Sequence, residues 1–118
     1  MAYIHRGRGP VALSRDPIDG DSIDWVYFIY DQWLTPNESI VAHSALIVGG
    51  TIETESTYIG PITLSGKEYQ TVYAVEFKPA NNACQVEITH RVSTTKVGAV
   101  DLGRTNIDRT VLIDVVSL

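Results

Sequence analysis

Ser22-Ile23-Asp24-Trp25-Val26-Tyr27-Phe28-Ile29 is the stretch on which the fold of this chain turns. Ile23, Trp25, Tyr27 and Ile29 fall on one side of a two-residue period and Asp24, Val26 and Phe28 on the other, with Trp33 continuing the odd-numbered series. Aromatic and β-branched side chains at that period describe a strand with one face in a core, because they fit a pleated, half-buried surface and crowd a helix. Thr35-Pro36-Asn37-Glu38 then supplies turn chemistry: proline presets φ and asparagine tolerates positive values.

Outward from this strand the pattern repeats. Ile40–Val48 is short, apolar and closed by Gly49-Gly50, and Thr51–Ile59 is threonine-rich, as expected of a more exposed strand. Ile62-Thr63-Leu64 adds a short edge piece. Thr71–Phe77 alternates Tyr73, Val75 and Phe77 against Ala74 and Glu76, and Cys84, Val86, Ile88 and His90 share a face opposite Gln85, Glu87, Thr89 and Arg91. Thr110–Val116 is the last. About seven strands with Gly, Pro and Asn turns, and no helical stripe of ten residues, predict an all-β, two-sheet antiparallel sandwich, with a partly open barrel as the alternative.

At 118 residues the chain suffices for one domain. With 44% hydrophobic and 19% charged residues it lies far from the composition of a disordered chain. Charge is uneven. Arg6, Arg8 and Arg15 are the only charges in the first fifteen residues, whereas the remainder carries six basic against fourteen acidic side chains, a charge of −8. Arg6-Gly7-Arg8-Gly9-Pro10, Asp16-Pro17 and Asp19-Gly20 are breaker chemistry, so residues 1–20 read as an extended basic arm with one short strand around Val11–Leu13, and residues 21–118 as the sandwich. A cationic arm on an anionic body steers toward acidic partners: nucleic acid, a membrane surface or an acidic patch on a copy of itself. No window is long and apolar enough for a membrane span or a signal peptide, which predicts synthesis in the cytoplasm. One cysteine, Cys84, excludes an intrachain disulfide and a cysteine metal cage.

The order of landmarks resembles the small immunoglobulin-like domains of tailed-bacteriophage virion proteins, of the fibre or head-decoration type. The resemblance rests on Ser22-Ile23-Asp24-Trp25 followed by Trp33-Leu34, on Val75-Glu76-Phe77-Lys78 leading into Ala80-Asn81-Asn82-Ala83, on Cys84 through Val92, and on the Gly103-Arg104-Thr105 corner entering Asn106 through Ile113. It covers roughly residues 22–116. The long arm and the connection Val97-Gly98-Ala99-Val100-Asp101-Leu102 depart from the pattern and leave the virion position open. The resemblance implies an immunoglobulin-like sandwich and a structural role in a particle.

Chemistry is sparse. His5, His43 and His90 are widely separated, and no H-E-x-x-H or Cys/His cluster offers converging metal ligands. Asp16, Asp19, Asp21 and Asp24 do not match calcium-loop spacing. Glu53 and Glu55 point the same way on a strand, where solvated charge guarding an edge is a simpler role than acid/base work. Cys84 reads as a small core residue and lies too far along its strand from His90 to be paired with it. Ser/His/Asp geometry leaves no mark in sequence, but there is no Gly-x-Ser-x-Gly elbow and no phosphate-cradling glycine loop. Trp25 and Trp33 read as core anchors.

These features predict a non-enzymatic chain without cofactor or metal: a capsid decoration or cement protein, homo-oligomeric in a virion assembled in the host cytoplasm. Its sandwich would sit on the shell while Arg6, Arg8 and Arg15 grip the major capsid protein or another virion protein through bidentate contacts. The alternative is a tail or head-fibre recognition module that binds a host glycan or receptor through the loops around Thr35–Ser39, Asn81–Ala83 and Lys96–Asn106. Neither a membrane nor nucleic acid is an expected partner, since a body at −8 repels phosphate and no strand interleaves basic with aromatic residues.

Overall fold

The computed structural model describes residues 2–5, 11–12, 18–19, 23–96 and 103–116. Among them are eleven strands and no helix: β1 (Ala2–His5), β2 (Val11–Ala12), β3 (Ile18–Asp19), β4 (Asp24–Ile29), β5 (Glu38–Val48), β6 (Gly50–Tyr58), β7 (Ile62–Leu64), β8 (Lys67–Tyr69), β9 (Val72–Pro79), β10 (Gln85–Lys96) and β11 (Ile107–Val116). They form one sheet of order β1-β4-β9-β6, a second of order β2-β11-β10-β5 with β3 also on β11, and a separate β7-β8 hairpin. The long strands pair antiparallel, whereas β1, β2 and β3 run parallel to their partners. The all-β class and the β-sandwich character expected from the alternation are therefore observed.

Alternation decides which side chains enter the core. Val26 and Phe28 from β4, with Val75 and Phe77 from β9, face Val86, Ile88 and Val92 of β10 and Val111 and Ile113 of β11. Full burial of each such side chain contributes about 1.5–3 kcal/mol relative to exposure. It is thus the even-numbered face of β4 that fills the space between the sheets. The odd-numbered face is used too: Tyr27 and Ile29 pack with Tyr69, Val72, Ile62 and Leu64 beneath the β7-β8 hairpin, in a second small core on the outside of the first sheet. Trp33 follows in the turn after β4 rather than on the strand, so its side is set by the turn.

One crossing fixes the sandwich edge. Between β5 and β6 the chain changes sheets through Gly49, whose φ of 89° lies in the left-handed region and whose missing Cβ leaves room for the Gln85 carbonyl. The Ala80 amide donates to the Gly49 carbonyl at 2.8 Å.

Several details differ from expectation. The last two long strands are longer than their apolar cores, because threonine and charged residues continue the ladder from Val92 to Lys96 and from Ile107 to Thr110. The piece at Ile62–Leu64 is half of a hairpin. Cys84 is exposed, not a core residue. It lies just before the first residue of β10, where its carbonyl accepts a bond from the Val115 amide at 3.0 Å, and a face assignment holds only inside the pleat. Within residues 1–20 the described segments are the short strands β1, β2 and β3, laid along β4 and β11. Arg6, Arg8 and Arg15 lie outside the described residues.

Candidate functional site

Two constellations concentrate the polar chemistry of the body. The first is a relay through the open side of the sandwich, where β5 and β6 lie beside each other. His90 of β10 is fully buried, its ring stacked on Phe28 with centroids 4.9 Å apart. Its Nδ1 is 2.6 Å from the Tyr30 hydroxyl and its Nε2 2.5 Å from Ser56 Oγ, while Ser56 Oγ is 2.8 Å from Nδ1 of the exposed His43. Tyr73, its ring centroid 4.5 Å from that of His43 and 5.3 Å from that of His90, completes an aromatic wall.

The ring tautomers allow two directions, and one of them gives every hydroxyl hydrogen an acceptor. The Tyr30 hydroxyl donates to Nδ1 of His90, Nε2–H donates to Ser56, and the Ser56 hydroxyl donates to Nδ1 of His43. Reversed, the chain would leave the buried Tyr30 hydrogen without an acceptor among these groups, which costs about 1–3 kcal/mol. Burial, and secondarily the nearby His43, holds the His90 pKa down at about 3, and burial raises that of Tyr30 above the usual phenol range.

A serine touching a histidine invites comparison with a nucleophile and its base. The geometry opposes it. A His90 that donates from Nε2 toward Ser56 cannot take the hydroxyl proton, and an imidazole held near pKa 3 is far from the range of an effective base at neutral pH. Its other partner is a neutral phenol, which offers no charge to stabilise an imidazolium. The relay is a polar network that joins the two sheets, buried at Tyr30 and His90 and reaching the surface at His43.

The second constellation ties one end of the sandwich together. In the Thr35–Glu38 turn, Asn37 has φ of 66°, and the Glu38 amide donates to the Thr35 carbonyl at 3.1 Å. Glu38 is buried at the start of β5 and its carboxylate accepts from the Thr35 amide, Thr35 Oγ1, Thr94 Oγ1, and Nε and one terminal nitrogen of Arg104. The Arg104 guanidinium beside it, helped by the threonine donors, holds this carboxyl well below the usual carboxylate range. Arg104 also donates to the Trp33 carbonyl at 3.0 Å and lies 3.6 Å from the centroid of the Trp33 ring, with Arg109 5.2 Å away. Gly103 makes this possible. At φ of 90° it passes so close to the Thr94 carbonyl that no Cβ fits, and Arg104 and Thr94 then exchange hydrogen bonds.

Of the anchors named from sequence, Trp33 is buried inside this lock, and Trp25 is partly buried on the outward face of β4. Asp24 is buried, and its carboxylate accepts from the Trp25 amide at 2.9 Å. Glu53 and Glu55 are exposed on β6. Among the described residues, no three or more His, Cys, Asp or Glu side chains gather as metal ligands. Sequence reading missed Tyr30, Ser56 and Glu38, which carry no local motif; the nearest signal was a histidine in the middle of each of two strands.

No family model, curated protein or solved structure matches the chain.

Proposed function

We propose that this chain is an immunoglobulin-like structural domain of a tailed-phage particle, a capsid decoration or cement protein that holds its neighbours through its surfaces and basic arm rather than through chemistry on a substrate. The observation that carries the reading is a meeting in space. Trp33 and the Gly103-Arg104 corner, landmarks of the resemblance separated by some seventy residues, contact each other across 3.6 Å. Motif residues that build one lock act together as a scaffold.

The strand layout supports the same reading. In immunoglobulin-like sandwiches strands A, B, E and D form one sheet and C, F and G the other. Taking β4, β5, β6, β9, β10 and β11 as B, C, D, E, F and G reproduces the order B-E-D in one sheet and G-F-C in the other. Phe28 and His90 stack between the two strands that carry the inter-sheet disulfide in antibody domains. In both polar constellations the buried groups, His90 and Tyr30 in one and Glu38 in the other, are matched by partners within the chain, which favours a structural over an enzymatic role.

The test is co-sedimentation with assembled phage heads lacking this protein. Deleting the first twenty residues would also remove β1, β2 and β3 from the sheet edges, so the variant of choice is Arg6→Gln, Arg8→Gln, Arg15→Gln. Binding by the parent chain and at least tenfold weaker binding by the variant supports a cement protein gripping through its arm. Binding by neither, together with binding of the domain to host cells or polysaccharide, would replace it with the fibre recognition module.

A further inference from the structure

Four sheet edges end the two main sheets, and three of them are blunted. Beside β4 and β11 the sheets end in β1 and in β2 with β3, strands of 4, 2 and 2 residues, too short to offer a ladder to a foreign strand. The β6 edge carries the exposed Glu53 and Glu55 and two register breaks against β9, which is how natural sheets discourage a foreign strand. The β5 edge is different. In the ladder it pairs only with β10; among the described residues no strand pairs with the backbone of its other side, and the hydrogen bond from β5 to β6 is between the His43 and Ser56 side chains. From Ser39 to Val48 it holds ten residues without a charged side chain, unlike any other long strand of the body. Glu38, just before them, is neutralised by Arg104. Val41, Leu46 and Val48 are exposed at 61%, 55% and 67%.

We propose that β5 pairs antiparallel with β5 of a second copy of this chain about a twofold axis, joining two four-stranded sheets into one. This deepens the homo-oligomeric part of the proposed function by naming its surface, and it holds or fails independently of whether the particle is a virion. The occupant follows from charge and closure. A bodily charge of −8 opposes self-association except where an uncharged strand can meet itself, because like charges directly opposite are destabilising in a ladder. A twofold contact uses the free edge of each copy, and with the other three edges blunted the assembly stops at two.

The register follows from the bulge. β5 slips against β10 between Ala42 and Ile40, which leaves Val41 unpaired and twists the start of the edge away. The regular segment is Ala42–Val48, whose centre is Ala45. Pairing about Ala45 sets Ser44 opposite Leu46 and Ala42 opposite Val48, with a small side chain on the axis. A seven-residue ladder of roughly 23 Å is a short interface, so the expected complex is a reversible dimer and not an obligate one. Each copy brings a body at −8, so like charges oppose the approach of the two. The dimer should therefore tighten several-fold as salt rises from about 50 mM to about 500 mM and screens them.

The experiment is analytical ultracentrifugation of the full chain across roughly three decades of concentration at both salts, paired with amide hydrogen exchange. The expected result is a monomer–dimer equilibrium tightened by salt, with amides of 42–48 slowing as concentration rises. Ser44→Lys with Leu46→Lys, at exposed outward positions, sets lysine opposite lysine across the axis and should weaken the dimer at least tenfold without changing the circular dichroism of the monomer. A chain monomeric throughout, or a dimer indifferent to this double variant, overturns the proposal. So does a monomer whose β5 amides gain protection only on adding a basic, extended peptide, which would assign the edge to a foreign strand.

Discussion

Lowering the pH from 7.5 to 4.5 should cost this protein roughly 2–3 kcal/mol of stability through His90 alone. The buried ring resists protonation until about pH 3, whereas the same histidine in the unfolded chain titrates near its ordinary value of 6.5. Below pH 6.5 the unfolded chain binds a proton that the folded chain refuses, so stability is full above that pH and falls as the pH drops toward 3. The slope approaches about 1.4 kcal/mol per pH unit, and the total to pH 4.5 is nearly insensitive to the folded value so long as that lies below about 4. The window ends where the carboxylates begin. Glu38, whose folded pKa is depressed, adds its own loss only below about 4.5. The groups facing His90 are Tyr30, Ser56, Tyr73 and His43. Urea unfolding at half-unit intervals from pH 7.5 to 4.5 measures the slope. His90→Phe keeps a ring against Phe28 and should unfold more easily than the parent at pH 7.5 but lose the slope, so that its deficit shrinks as the pH falls, while His43→Gln should keep most of the slope. Equal slopes in the parent and His90→Phe chains would refute the burial argument.

Three further outcomes follow from the same geometry. Glu38→Ala leaves Arg104 unpaired at the end of the sandwich and, with the guanidinium about one-third exposed, should cost about 3 kcal/mol by thermal or urea unfolding. Asp108→Asn breaks an ion pair with Arg91 in which both side chains are over 40% exposed, so its midpoint should shift by no more than about 0.5 kcal/mol in stability. Gly103→Ala meets both a positive φ and the Thr94 carbonyl, and should destabilise by more than about 1 kcal/mol while weakening the Arg104 lock, visible as a change in Trp33 fluorescence.

Alternation alone determined that the chain is all-β, because a two-residue period of aromatic and β-branched side chains has one stable way to bury itself. The turn at Thr35–Glu38 and the strand boundary at Gly49-Gly50 were equally legible, since proline, asparagine and glycine act on their own φ angles, but that the chain changes sheets at Gly49 was not. Which face of β4 enters the main core was not determined locally. Val26 and Phe28 face the second sheet because that sheet lies there, and Tyr27 and Ile29 are covered because a hairpin forty residues later folds over them. Cys84 shows the limit of periodicity: one residue beyond the pleat, the pattern no longer says where a side chain points. The two polar constellations belong wholly to tertiary structure. Tyr30, His43, Ser56 and His90, like Glu38 and Arg104, lie on segments far apart in the chain, and a hydrogen bond between such segments depends on how the sheets stack and twist, which no local spacing encodes.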